Sequence, residues 1–168
     1  MTEKKPLLTV FTPTYNRGHL IYRIYQSLLR QKMFDFEWLV IDDGSQDQTE
    51  ELFNEWLQRE NPFEIRYYRQ KNQGLIRTLN RGINLARGDF FSKIDSDDYV
   101  VDDYATNISK WVASIENSTS IYAVSGVRVT PNGIPLKGKW PDIPREPGFV
   151  DATDLERAAY DLDADMCE

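Results

Sequence analysis

The chain has 168 residues, 40% of them hydrophobic and 28% charged, an ordinary balance for one globular domain with a full apolar core. Its net charge of −7 argues against a nucleic-acid binder, which needs a basic face, but leaves a nucleotide ligand open, because a divalent cation can neutralise phosphates in place of Lys and Arg. The single cysteine, Cys167, rules out an internal disulfide and, with the one histidine, His19, cannot build a zinc site of the usual kind.

Short apolar runs alternate with helical patterns from the start. Leu7-Leu8-Thr9-Val10-Phe11-Thr12 reads as a buried strand closed by Pro13. Ile21, Ile24, Tyr25 and Leu28 recur at helical spacing, and Phe36 to Ile41 is a second strand. Asp47 with Glu50 resembles a helix-capping pair, followed by Leu52, Phe53, Trp56 and Leu57 on one helical face. Phe63 to Tyr68 reads as a third strand, and Asn72-Gln73-Gly74 breaks the chain. Leu75, Leu79, Ile83 and Ala86 form the next helical stripe, with Gly88 as its C-terminal cap. Phe90 to Ile94 is a fourth strand, and Tyr104, Ile108, Trp111, Val112 and Ile115 mark a helix after it. This strict alternation predicts a parallel sheet built through right-handed crossovers. Beyond residue 119 the rhythm changes: a strand over Ile121–Val129, a turn at Pro131-Asn132-Gly133, a proline-rich stretch to residue 148, and a last helix capped by Asp151 or Thr153. No apolar stretch is long enough to cross a bilayer, and Met1 to Pro6 leads into a short apolar run, not a signal-type core. The expected location is cytoplasmic, with any tie to the inner face of a membrane made by parts or partners outside this sequence.

Two acidic clusters sit at strand ends. Asp42-Asp43-Gly44-Ser45 closes the second strand, and Asp95-Ser96-Asp97-Asp98 closes the fourth. Carboxylates cannot be buried unpaired, and carboxylates gathered at one sheet edge repel unless a cation or a donor-rich ligand lies between them. Asp95 and Asp97, with one residue between them, can divide the work between a ribose or metal-bound water and a hard cation such as Mg²⁺. The plainer reading, a cap on the following helix, has equal standing for this cluster alone. A carboxylate at Asp42 or Asp43 can accept the imide N–H of a uracil ring, or can simply close a turn. Tyr15 can stack on a base or cover the core rim, and Arg77 can meet a diphosphate or stay solvated on its helix. Trp56 and Trp111 are most simply core, and His19 a polar residue in the first helical turn.

In combination, Thr12-Pro13-Thr14-Tyr15-Asn16-Arg17, Val40-Ile41-Asp42-Asp43-Gly44-Ser45, Asn72-Gln73-Gly74 with Asn80-Arg81-Gly82, and Ala86-Arg87-Gly88-Asp89-Phe90 leading to Asp95-Ser96-Asp97-Asp98 resemble, in that order, the family 2 glycosyltransferases with the GT-A fold. The resemblance implies an α/β, Rossmann-like fold with a mostly parallel central sheet flanked by helices, the first and fourth strands being neighbours. It covers residues 7–118 as a nucleotide-sugar and metal-binding core, with 119–168 as the start of an acceptor-side region. It further implies an inverting, metal-dependent transfer from a nucleotide-sugar donor, most often a UDP-sugar, to a saccharide or other hydroxyl acceptor, with Mn²⁺ or Mg²⁺ as cofactor. Carried onto matching positions, it assigns Pro13, Tyr15, Asp42, Asp43, Arg77, Asp95 and Ser96 to the donor, and Asp97, Asp95 and Asp98 to the metal. Members of that family normally continue well past this length, so the acidic ending at Asp161, Asp163, Asp165 and Glu168 reads as solvated chain near a cut, and no residue is singled out as the catalytic base. Two rivals are a nucleotidyltransferase, against which the loop from Thr12 to Arg17 counts because it has no glycine, and a non-catalytic nucleotide-sugar-binding module.

Overall fold

The computed structural model describes residues 5–113, where strands and helices alternate without exception: β1 (Leu8–Thr14), α1 (Tyr22–Leu29), β2 (Phe36–Asp42), α2 (Thr49–Leu57), β3 (Glu64–Arg69), α3 (Leu75–Leu85), β4 (Phe90–Lys93) and α4 (Tyr104–Ala113). The strands form one parallel sheet in the order β3-β2-β1-β4. The first and fourth strands are therefore neighbours, and the order steps away from β1 in both directions. That is a switch point, and in open α/β sheets ligands bind outside the C-terminal strand ends at such a point.

Both faces of the sheet are covered, which is why β1 and β2 are buried along their whole length and read as continuous apolar runs. On one face Leu8, Val10, Trp38 and Val40 pack with Ile24, Tyr25 and Leu28 of α1, Phe53 and Trp56 of α2, and Ala105 and Ile108 of α4. Aromatic rings dominate this layer: Tyr25 stacks on Trp56 at 4.2 Å and Phe53 on Tyr67 at 4.4 Å between ring centroids. On the other face Phe11, Leu39 and Ile41 pack under α3, with Leu79 and Leu85 against them.

Five local expectations are corrected. Pro13 does not close β1, which runs on to Thr14, with Pro13 opposite Ile41 of β2. The carbonyls of Leu7 and Phe11 accept from Phe90 and Ile94, so the odd-numbered residues turn their polar backbone toward β4. β4 ends at Lys93, opposite Phe11, so the N–H that Pro13 lacks would have pointed past the paired part of that strand. Second, the face that α3 buries is Thr78 and Gly82, while Leu75 and Ile83 are about half exposed and Ala86 lies beyond the helix in extended backbone. Close approach decides this. A Cβ at Gly82 would lie 2.4 Å from Cε2 of the fully buried Phe11, so the helix meets the sheet through its glycine. Third, Gly88 is not a helix cap. It passes so close to β1 that a Cβ would fall 2.4 Å from the Thr9 nitrogen, and its own N–H donates to Thr9 Oγ1 at 2.9 Å. Fourth, Asp47 caps the start of α2 by accepting from Thr49 N–H at 3.1 Å and Thr49 Oγ1 at 2.5 Å, but Glu50 pairs with Arg69 instead of reaching back. Fifth, Leu57 is 46% exposed and leaves the buried face of α2 to Phe53 and Trp56.

No helix among the described residues is long and apolar enough to cross a membrane. The strand, turn, proline-rich stretch and last helix read from residue 119 onward, together with Ile115, the acidic ending and Cys167, lie outside the described residues.

Candidate functional site

The sheet register brings the C-terminal residues of β1, β2 and β3 into one row, Thr14 opposite Asp42 and Asp42 opposite Arg69, and β4 ends beside β1 on the same edge. Four loops therefore leave from one edge. Each holds residues singled out in the sequence.

The first two loops are stitched together. Asn16, with a left-handed φ of 53°, donates its N–H to Ser45 Oγ at 2.8 Å and accepts from Gln46 N–H through Oδ1 at 2.7 Å. Gly18 N–H reaches Asp47 Oδ2 at 2.9 Å. Pro13 is buried at the base of this assembly, while Tyr15 stands 47% exposed at its top.

The two aspartates after β2 have separate tasks. Asp42 is fully buried; its Oδ1 accepts from Ser45 N–H at 2.7 Å, closing the turn, and its Oδ2 accepts from the Tyr67 hydroxyl at 2.6 Å. Arg69 Nε lies 3.8 Å from the same oxygen. Burial pushes the Tyr67 hydroxyl above its ordinary range, and its hydrogen bond to Asp42 and the charge there add to this, in keeping with the hydroxyl acting as the donor. Asp43 turns toward the β3–α3 loop. Its Oδ1 accepts from Gln70 Nε2 at 2.7 Å and Gln73 N–H at 2.9 Å, and its Oδ2 from Gly74 N–H at 2.8 Å. Burial alone would raise this carboxyl, but these donors outweigh it and hold it below the usual carboxylate range. The turn that follows them, from Asp42 to Ser45, needs Gly44 at a φ of +87°, where a Cβ would come within 3.1 Å of the Asn72 nitrogen.

Beside this pair lies an open cleft of about 570 Å³, lined by Tyr15, Gly44 and Gln46 from the β1 and β2 ends and by residues 69–72 from the β3 end. That volume is in the range of small-ligand sites. Arg69 is tied at its rim by Glu50, by Asp42 and by the Ser45 carbonyl at 2.6 Å. Gln46, Arg69, Gln70 and Lys71 were not singled out in the sequence. The available signal was a polar run directly after the apolar residues of β3.

The fourth loop carries Asp95 to Asp98. Ser96 is buried, Asp97 and Asp98 are exposed, and Asp98 N–H closes a turn onto the Asp95 carbonyl at 3.0 Å. Lys93 Nζ lies 2.6 Å from Asp95 Oδ1. The Asp98 carboxyl is raised, first by partial desolvation where the side chain meets the loop and then by the negative charges of Asp97 and Asp95. Arg77 sits in the first part of α3, exposed, with no ion pair among the described residues.

The sequence signature of Glycosyl transferase family 2 matches residues 9–153, a span that contains all four loops. The chain belongs to this family. It is 30% identical over 143 residues to the chondroitin synthase of Pasteurella multocida (strain Pm70), an alignment covering 84% of this chain and 14% of that protein. Among solved structures, TarS 1–349 of S. aureus in complex with UDP superposes with a TM-score of 0.56 and 28% identity, over 63% of this chain and 32% of that one. The mannosyltransferase PcManGT of Pyrobaculum calidifontis, in complex with GDP-Man and Mn²⁺, gives the same TM-score at 25% identity, over 67% of this chain and 34% of its own. This family 2 chain therefore has the GT-A architecture and spans about a third or less of the length of each of these relatives.

A divalent cation is the cofactor the family implies. Among the described residues no three His, Cys, Asp or Glu side chains form a ready metal cage. The donor set past β4 nevertheless fits a hard cation. It is all carboxylate oxygen, three groups within four residues, and ions such as Mg²⁺ take one or two protein carboxylates and complete their shell with water and phosphate oxygens.

Proposed function

We infer that this chain binds the donor in an inverting, metal-dependent transfer of a sugar from a nucleotide-sugar, a UDP-sugar, to a hydroxyl acceptor such as a saccharide. The observation that carries this reading is the single edge on which the ends of β1, β2, β3 and β4 meet, with a cleft at one part of it and a carboxylate cluster at another. In this reading Tyr15 stacks on the base across the cleft and Asp43 accepts the imide N–H of the uracil, with Asp42 holding the turn on which Asp43 stands. Pro13 and Ser96 shape the floor, Asp95 faces the ribose, and Arg77 meets the diphosphate. Asp97, with Asp95 and Asp98 beside it, would hold Mn²⁺ or Mg²⁺, which when bound supplies neutralising charge to the diphosphate as it leaves. Residues 7–118 form the donor and metal-binding core of this scheme, and 119–168 belong to the acceptor side. Inversion follows from one displacement in which the acceptor hydroxyl, its proton taken by a general base, attacks the anomeric carbon.

A calorimetric titration tests the scheme. UDP is expected to bind with Mn²⁺ present and at least tenfold more weakly in chelator, and Asp97→Ala to abolish most of that difference. Equal affinity in Mn²⁺ and in chelator contradicts the metal role.

A further inference from the structure

The groups behind Asp43 form a chain in which the direction of every hydrogen bond is dictated. Arg81 on α3 is a donor only, and its Nη1 reaches Gln70 Oε1 at 2.7 Å. This settles which end of the Gln70 amide is oxygen. The NH₂ end must then face the other way, and it donates to both Asp43 Oδ1 at 2.7 Å and Thr78 Oγ1 at 2.9 Å. The Thr78 hydroxyl gives its own proton to the Gly74 carbonyl at 3.0 Å and accepts from Gln70, and it lies near enough to Asp43 to add to the lowering of that carboxyl. Asp43 therefore meets donors on every side described: Gln70, Gln73 N–H and Gly74 N–H. Three of its roughly four lone-pair positions are filled, leaving one. The lowered carboxyl of Asp43 agrees with this arrangement.

We propose that Gln70 and Arg81 are positioning residues that hold Asp43 as an acceptor-only group, so that its one remaining lone-pair position selects a base edge carrying an N–H, as in uracil, against one carrying a bare ring nitrogen, as in cytosine. The proposal rests on the reading that Asp43 meets the base. It goes further by stating what enforces the choice. Replacing Asp43 by Asn exposes the logic. Asparagine has one oxygen and one NH₂, and the oxygen must face either the Oδ1 donors, Gln70 and Gln73 N–H, or the single Oδ2 donor, Gly74 N–H. Two donors outvote one, so the relay turns the oxygen toward Gln70 and the NH₂ into the remaining position. A cytosine ring nitrogen then becomes the better partner. Without the Gln70 amide the count is one against one, and the asparagine has no fixed orientation.

The experiment is a titration of UDP and CDP, with Mn²⁺ at neutral pH, against the unaltered chain, Asp43→Asn, Asp43→Asn with Gln70→Met, and Asp43→Asn with Arg81→Met. The unaltered chain should prefer UDP by roughly tenfold or more, Asp43→Asn should reverse the preference, and both double variants should bring the ratio close to one. A double variant that keeps the reversed preference overturns the relay while leaving Asp43 as the base reader. An identical UDP-to-CDP ratio in the unaltered chain and Asp43→Asn overturns the base reading, and the relay with it. Should circular dichroism show the Asp43 variants unfolded, Gln70→Met alone carries the test. The groups facing Asp43 are Gln70, the two N–H groups, Thr78 and, through Gln70, Arg81, so loss of the amide must raise the Asp43 carboxyl. UDP binding should then fail at a higher pH than in the unaltered chain, and an unshifted acid limb overturns the proposal.

Discussion

At the scale of single residues, the most consequential side chain outside the cleft is Glu37. It is 1% exposed as the second residue of the buried strand β2, and it survives there because Thr9 Oγ1 donates to it at 2.6 Å, Arg66 at 2.9 Å and Arg87 N–H at 2.7 Å. Burial works to raise its carboxyl, and these donors more than reverse that, so it lies below its ordinary value of 4.5. A carboxyl lowered in the folded state contributes stability that is complete above its unfolded value and is lost as pH falls through the folded value. The melting temperature of the chain should therefore fall as pH drops below about 4.5, with Asp43 and Asp47, lowered for the same kind of reason, adding to the slope. Glu37→Gln should cost about 3 kcal/mol at pH 7, because Arg66 is left buried beside a neutral partner, and should flatten the acid limb. Thermal melts across pH check both. A Glu37→Gln variant with the full acid slope contradicts the assignment. None of this was legible in the sequence. Glu37 stands in an otherwise apolar run, and its partners lie on three other segments of the chain.

At the scale of elements, the placement of α3 decides the shape of the site, because its N-terminal turn supplies the Gly74 N–H and Thr78 that hold the Asp43 loop. Helix α3 approaches the sheet most tightly at Gly82, between the contacts of Leu79 and Leu85, and an added Cβ there would sit 2.4 Å and 2.5 Å from two ring atoms of the buried Phe11. Gly82→Ala should therefore destabilise the chain by about 1–3 kcal/mol, as overpacking does, and weaken UDP binding through the displaced loop. A denaturant titration and a UDP titration on the same variant measure the two effects. A variant as stable as the unaltered chain would show that the helix can back away from the sheet freely. The sequence pattern misjudged this helix for a physical reason: periodicity finds the apolar stripe, Leu75, Leu79 and Ile83, but the buried face is set by how near the backbone must come. The strands were legible within two residues at each end because β1 and β2 are buried along their whole length and the half-buried β3 and β4 are still short apolar or aromatic runs between polar breaks, and Pro13 was misjudged because only the registry of β4 tells which way its missing N–H would point.

At the scale of the whole molecule, the parallel order β3-β2-β1-β4 turns four separate short motifs into one edge. That convergence was legible in the sequence, since each motif ends an apolar run and parallel strands share their C-terminal side. The division of labour within each motif was not. Asp42 and Asp43 are indistinguishable as letters, yet one is consumed by Ser45 and Tyr67 and the other by the loop before α3. The central claim is that one edge holds a base at Asp43 and a divalent cation at Asp97. Its most direct test is a crystal structure of the chain soaked with UDP and Mn²⁺, with the metal located by its anomalous scattering. The account predicts a manganese peak against the Asp97 carboxylate, beside Asp95 or Asp98, and the uracil N3 within hydrogen-bond distance of Asp43. A manganese peak away from residues 95–98, or a uracil ring with no contact to Asp43, would contradict it.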